Sequence, residues 1–421
     1  MSMSEWKEYR LGDVGKIVTG KTPSTKVSSY YDGSIHFVSP ADLNNCNKEI
    51  LSTAKTISSS GLMTIKGSIL PKRAICVSCI GNLGYVGITK MECASNQQIN
   101  SIIVDESYFD IDFIYYTIKW LWRYFKSQEN QSTTISIINK STFANIKFSA
   151  PDINLQKKIA ILLSGIDSKI ENNRKICANL EAQAQALFKH WFIDFAPFKD
   201  GKFVESELGM IPEGWRVGTY SDIIKDTISG DWGKDSSVGN YNHKVACIRG
   251  CDFQDVKMGL RGKTPERFIL EKNFQSKHFE NKDVLVEISG GTATVSTGRV
   301  CPVSQLLIDR YNGDIVCTNF CKLVRPIDGY SSYLYYSWKY KYDRKVMFGY
   351  ENGTSGIKNF SIKDFTTREP LVLPTLTALY EFEEIVEHIH IQIQNYGSES
   401  SKLANIRDTL LPKLMSGEIK V

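Results

Sequence analysis

The chain is written twice, and any fold it adopts must respect that. Trp6 and Asp13 in WKEYRLGDV return 209 positions later as Trp215 and Asp222 in WRVGTYSDI. Ile75–Val86 (ICVSCIGNLGYV) returns at the same offset as Val284–Val295 (VLVEISGGTATV). The last third of each half reads as a long heptad helix, and the two helices match at an offset of 223. Two equal globular halves, each ending in its own rigid rod, make a two-headed object with a built-in spacing. That plan suits reading two places on one long ligand and points away from catalysis.

A length of 421 residues allows two or three domains, and 42% hydrophobic with 23% charged residues is ordinary for globular protein. No apolar stretch approaches the ~18 residues needed to span a bilayer. The start, MSMSEWKEYR, is polar and charged and reads as no signal peptide, which sets a cytoplasmic expectation. Net charge is +5, with 16 Lys and Arg against 12 Asp and Glu in residues 1–150, and 24 against 21 in residues 201–370. The positive balance therefore sits on the globular halves, which permits a nucleic-acid partner without demanding one.

Ten cysteines invite a zinc reading, above all Cys76-x-x-Cys79, Cys247-x3-Cys251 and Cys317-x3-Cys321. The duplication argues against it. Cys76 and Cys79 align with Leu285 and Ile288, and Cys317 and Cys321 with Ala94 and Gln98. A structural zinc site needs four ligands at fixed spacing. The expectation is no metal, with buried or semi-buried reduced thiols.

In residues 1–150, short apolar runs such as Ile35–Pro40, Arg73–Ile80 and Asn100–Asp105 are bounded by Gly, Ser, Asn and Pro and read as strands. Phe113–Phe125 is an aromatic helix, matched by Tyr333–Tyr342 in the second half. The mixture is α+β or α/β with a mostly antiparallel or mixed sheet. Pro151 opens the first long helix, whose seam is Ile159, Leu163, Ile166, Ile170, Asn173, Cys177, Leu180, Ala184, Leu187 and Trp191. Pro374 opens the second, with Phe382, Val386, Ile389, Ile393, Tyr396, Ser400, Leu403, Arg407, Leu410 and Leu414 in the same 4-3 alternation. Matched phase and length predict that the helices cover each other as an antiparallel pair, with Asn173 near Tyr396. The layout is globular unit 1–150, helix 151–195, a Pro/Gly/charge-rich linker 196–214, globular unit 215–371, and helix with tail 372–421. The tail would return close to the N-terminus.

Gly15–Thr22 (GKIVTGKT) fits G-x4-G-K-[ST], and Asp105 ends an apolar run as a Mg²⁺-binding carboxylate would. A stand-alone ATPase using Lys21 and Asp105 is the runner-up reading. Against it, the preceding residues are charged, Ile17-Val18-Thr19 is strand-favouring, and Pro23-Ser24-Thr25 follows where a helix should start. The second half has TISGDWG here and no GK[ST]. No nucleophile elbow, zincin signature or dinucleotide turn occurs. The six histidines do not recur between halves; His388 and His390 are two apart on one helix and read as facing solvent or a partner.

Specific runs then carry a resemblance. They are Leu11-Gly12-Asp13, Thr19–Ser24, Asn96-Gln97-Gln98, Pro151 with Gln156–Ala160, Leu187–Phe195, Glu207–Trp215 and Leu410–Ile419. Together with the order of parts, over nearly the whole chain, they resemble the specificity (S) subunit of type I restriction-modification enzymes. The resemblance implies two pseudo-repeated globular target recognition domains separated by an antiparallel pair of long coiled-coil helices. Each domain would read one half of a split DNA sequence, and the helices would set the gap. Two modification subunits would dock and transfer methyl groups from S-adenosylmethionine, and two restriction subunits would add ATP- and Mg-dependent translocation and cleavage. This chain would itself be non-catalytic, with no cofactor; it lacks an Asn/Asp-Pro-Pro-aromatic methylase motif, which agrees. The P-loop match becomes the Gly-x-Thr-Pro-Ser turn that opens the recognition domain.

Each seam covers roughly 50 Å at 1.5 Å per residue, comparable to the about 34–36 Å between half-sites one DNA turn apart. Base contacts need donors and acceptors on turns. In the first half the candidates are Lys21, Thr22, Ser78, Asn82, Asn96, Gln97, Thr133, Thr134 and Lys140. In the second they are Arg249, Ser289, Thr292, Thr294, Asn319, Thr354 and Lys358.

Overall fold

In this computed structural model the described residues are 6–121, 125–126, 137–292, 294–353, 358–419 and 421. The chain divides into two compact units, one made of Met1–Glu171 with Leu403–Val421, the other of Asn172–Lys402. Each long helix therefore begins in one unit and ends in the other.

The first unit is built on a five-stranded sheet in the order Gly15–Thr19, Ile99–Val104, Ile75–Ser78, Val86–Thr89, Glu49–Ile50. Ile75–Ser78 is central and buried at every residue, which is why it reads as a continuous apolar run rather than an alternating one. A second sheet runs Lys55–Ile57, Tyr31–Val38, Cys93–Ser95, Ile69–Leu70, with its middle pair parallel. Lys7–Arg10 pairs with Lys147–Ala150, closing the unit near its helix. The aromatic helix Ile111–Trp120 is capped by Asp110, whose Oδ1 accepts from the Phe113 amide at 2.9 Å. It buries Phe113, Ile114, Tyr115 and Tyr116 completely, each contributing roughly 1.5–3 kcal/mol relative to exposure.

The second unit repeats this plan. Its four-stranded sheet runs Ile224–Ser229, Cys321–Pro326, Val284–Glu287, Val300–Pro302, and a three-stranded sheet runs Glu266–Leu270, Tyr241–Ile248, Ile315–Cys317. Arg216–Thr219 pairs with Pro370–Leu373. Its aromatic helix is Ser331–Asp343; Trp338 is buried and its indole N–H donates to the Gly298 carbonyl at 3.0 Å.

The structure shifts the repeat register read from sequence. The offset of 209 holds for Ile75–Ser78 against Val284–Glu287 but fails beyond them. Val77 pairs with Val86, and Val286 with Val300, so Val300 and not Val295 is the counterpart of Val86. The turn of the second unit is five residues longer. Strand pairing also places Cys317 opposite Ile248 as Ser95 is opposite Val38, and Cys321 opposite Glu287 as Ile99 is opposite Ser78. Their counterparts are thus Ser95 and Ile99 rather than Ala94 and Gln98, still not thiols.

The long helices are Ile153–Phe192 and Leu376–Met415, 40 residues each. Inside the first unit Ile159 and Leu163 share a core with Leu411, Leu414 and Met415, and Asp167 meets Arg407 at 2.7 Å. Inside the second, the Asn173 amide donates to Glu399 at 2.7 Å and to the Tyr396 carbonyl at 3.4 Å. Cys177 donates to the Ile393 carbonyl at 3.6 Å, and Ala184, Phe188 and Phe192 pack with Phe382 and Val386. Rising numbers on one helix meet falling numbers on the other, so the pairing is antiparallel in both units. Ile159, Leu163, Asn173, Cys177, Ala184, Phe382, Val386, Ile393, Ser400 and Leu414 are buried. Ile166, Ile170, Leu180, Leu187, Trp191, Ile389, Tyr396, Leu403, Arg407 and Leu410 are half-buried.

The 196–214 segment is not an open linker. Phe203–Ser206 and Gly209–Pro212 form a hairpin, and Phe195 and Phe198 pack edge-on against Trp215 at 5.6 and 4.9 Å. Burial of these rings, which the polar residues between them mask in sequence, folds the segment down. The tail turns back in the first unit, where Gly417 lies against the Trp6 indole. No helix among the described residues is long and apolar enough to cross a membrane.

Candidate nucleic-acid interface

Gly15–Thr19 ends at Gly20, whose amide donates to the Ile99 carbonyl at 3.0 Å; the Lys21 amide donates to Ser95 at 2.9 Å. A Cβ at Gly20 would overlap the Asn96 carbonyl, so only glycine lets these two chain segments touch. Asn96 forms an Asx turn, its Oδ1 accepting from the Gln98 amide at 3.0 Å. Thr22 Oγ1 donates to Gln97 Oε1 across this junction. The Cys79 amide donates to Gln98 at 2.7 Å, the Ile138 amide to Cys79 at 2.8 Å, and Ile80 bridges Ile137. The turns at 20–22, 79–85, 96–98 and 137–140 thus form one surface of the first unit.

The second unit makes three of these four backbone bonds with different residues. The Asp231 amide donates to Cys317 at 2.8 Å, Ile288 to Phe320 at 2.9 Å, and Phe360 to Ile288 at 2.9 Å. Ser289 pairs with Asn359. A Cβ at Gly230 would overlap the Thr318 carbonyl, as at Gly20. The Trp232 amide donates to Asn319 Oδ1 at 3.2 Å, in the place where Thr22 meets Gln97. Additional side chains brace this turn: Asn273 donates to Asp231 at 2.7 Å, Lys277 to the Gly230 carbonyl at 3.0 Å, and the Arg267 guanidinium lies 4.1 Å from the Trp232 ring.

Lys21, Asn82, Gln97, Lys140, Thr292, Thr294 and Asn319 are exposed, and Thr22, Asn96 and Ser289 are half-buried. Thr133, Thr134 and Thr354 lie outside the described residues. Three further candidates also have partners. Ser78 is buried, accepting from the Tyr85 amide at 2.9 Å and donating to the Asn82 carbonyl at 2.7 Å, so it pins the hairpin. Arg249 forms a fork on Asp252 at 2.9 and 3.0 Å and donates to the Lys263 carbonyl at 2.9 Å; the Asp252 hydrogen bonds raise its pKa. Lys358 pairs with the buried Glu351 carboxylate at 2.8 Å and lies over the Phe348 ring. Sequence reasoning missed Ile137 and Phe320, which are large, apolar and exposed in these turns. It sought polar residues and read apolar ones as core.

The P-loop match folds as a strand. Gly15–Thr19 pairs antiparallel with Ile99–Val104, from Val104 opposite Gly15 to Asn100 opposite Thr19. Extended backbone cannot curl its amides around phosphate. The ten cysteines are free; Cys251 is exposed, contrary to expectation, Cys46 is half-buried, and the rest are buried. Burial pushes the Cys76 and Cys247 thiols up to about 12, which keeps them protonated and poor as ligands. Among the described residues no group of three or more His, Cys, Asp or Glu is placed to hold a metal. His388 is exposed, but His390 is not: its Nε2 lies 2.7 Å from the Tyr336 hydroxyl and its ring stacks on that tyrosine.

Residues 3–182 match the family described as type I restriction modification DNA specificity domain. The chain is 28% identical over 427 residues to the type I restriction enzyme MjaIX specificity subunit of Methanocaldococcus jannaschii, covering 99% of this chain and 94% of that one. It is 24% identical over 498 residues to the HindI specificity subunit of Haemophilus influenzae, covering 99% and 100%. A solved S subunit of a type I restriction-modification system from M. genitalium has the same fold, with a TM-score of 0.56 at 17% identity, covering 98% of this chain and 97% of that one. Two units on one plan, a specificity-domain match over residues 3–182 and likeness over nearly the whole length make this chain similar to the type I restriction-modification specificity subunits.

Proposed function

We propose that this chain is the DNA-reading subunit of a cytoplasmic type I complex and does no chemistry itself. Each unit reads one half of a bipartite duplex target. The long helices set the gap and carry two modification subunits, to which two restriction subunits add. S-adenosylmethionine, ATP and Mg²⁺ act on those partners.

One observation supports this most. Three backbone bonds that frame the turns recur in both units, while the side chains they present differ: Lys21-Thr22 against Asp231-Trp232, and Asn96-Gln97-Gln98 against Thr318-Asn319-Phe320. A shared scaffold with different donors and acceptors is what two unlike half-sites require. Exposed Lys21 and Lys140 serve phosphate contacts that position the first unit without reading sequence.

The test is methylation mapping of the complex reconstituted with its modification subunits, before and after exchange of residues 1–150 for those of a relative. One half of the recognised sequence changes and the other stays. A single exchange that alters both halves overturns the reading.

A further inference from the structure

Because three of the four framing backbone bonds have a counterpart, the two surfaces can be compared place by place. Two of these places set a largely exposed apolar side chain in one unit against a polar one in the other. Ile137, opposite Ile80, is 63% exposed, and its counterpart is Asn359, opposite Ser289. Phe320 is 61% exposed, and its counterpart is Gln98, whose side chain accepts from Asn96 at 3.1 Å. Each unit thus offers one such side chain at a shared place, different in each, and the longer turn of the second unit also exposes Val295. One exposed apolar residue is unremarkable. One per repeat, both within the surface assigned to DNA, is a pattern.

We propose that Ile137 and Phe320 are base-reading contacts, each lying against the C5 methyl of a thymine in the half-site of its own unit. The inference rests on the DNA-reading role above. The thymine methyl is the apolar group that base pairs display in the major groove, and an aliphatic or aromatic side chain is its natural partner. Polar neighbours supply the other contacts: Gln97 and Lys140 beside Ile137, Asn319 beside Phe320. The two positions let each unit demand its methyl at a different base pair, which polar side chains at Asn359 and Gln98 would not do.

The experiment measures binding of the complex with its modification subunits to its mapped target, and to duplexes with deoxyuridine for thymidine in one half-site. Wild-type loses about fourfold for each substituted half, the worth of one buried methyl. Phe320→Ala binds the unsubstituted target more weakly. It is then indifferent to deoxyuridine in the second half-site, yet still loses about fourfold in the first. Ile137→Ala gives the mirror result. Circular dichroism melting matches wild-type, since both side chains are exposed. Variants that keep wild-type affinity, variants that lose the same factor on substituted and unsubstituted duplexes, or a half-site without an A·T pair overturn the inference alone. A wild-type complex that binds no bipartite target overturns the parent reading with it.

Discussion

The hydroxyl of Tyr116 donates to the Asp167 carboxylate at 2.6 Å and fastens the aromatic helix of the first unit to the first long helix. Arg407 reaches the same carboxylate from the second long helix at 2.7 Å. Three elements meet on one half-buried acid. Burial alone would raise its pKa, but Tyr116 and Arg407 hold it below the usual carboxylate value. A depressed carboxylate contributes stability above its unfolded pKa, and that contribution fades as pH falls through the folded value. Asp167→Asn should cost about 1–3 kcal/mol near neutrality, since it leaves Arg407 half-paired. The gap from wild-type should close as the pH is taken below about 4. Urea titrations across this range measure it.

In the second unit the matching place is held by Tyr336 and His390. Burial lowers the His390 pKa, against the opposing pull of Glu181, Glu383 and Glu387. The fold favours neutral imidazole, so stability is full above the ordinary histidine value of about 6.5 and declines as pH falls toward the folded value, because the unfolded chain takes the proton first. His390→Gln should flatten thermal stability between about pH 7.5 and 5.5. A variant as pH-sensitive as wild-type would show that the proton binds elsewhere.

Arg249 holds its guanidinium on Asp252 and the Lys263 carbonyl. Arg249→Ala should lower stability by about 1–3 kcal/mol by freeing the buried Asp252 carboxylate. Methylation mapping should return the same bases in both half-sites at permissive temperature.

Lys21→Ala should leave any ATPase of the assembled enzyme intact. It should weaken DNA binding evenly across target variants and reduce the salt slope by about one unit, as loss of one phosphate contact does. Binding isotherms over a salt series report both.

Gap length should follow helix length only when both helices change. Glu181 and Ala184 are buried in the second unit, so an insertion near them dislodges Phe188 and Phe192 from their core. Four residues after Ile170 together with four after Lys402 avoid both cores. Each addition is close to one turn and adds about 6 Å, so the recognised gap should grow by one or two base pairs with both half-sites unchanged. An active enzyme with the original gap would show that the helices do not measure the DNA.

The helices were legible because a 4-3 alternation over ten positions leaves little freedom: predicted at Pro151 and Pro374, they begin at Ile153 and Leu376. Strand cores such as Ile75–Ser78 were legible as unbroken apolar runs. The hairpin after Phe195 was not, because its anchors are rings separated by charged residues. Nor were the fates of Arg249 and Lys358. A basic side chain looks the same in sequence whether its acid lies three residues away or is absent, and only coordinates reveal the buried Asp252 and Glu351.

The five extra residues between Val286 and Val300 have a consequence for the target's shape. Shared between two arms of a turn, they lengthen its reach by at most about 8 Å at 3.3 Å per residue, roughly two base-pair steps of 3.4 Å. A symmetric pair of readers would be content with words of equal length. Here the second unit has the longer finger, and the word beneath it should be the longer of the two.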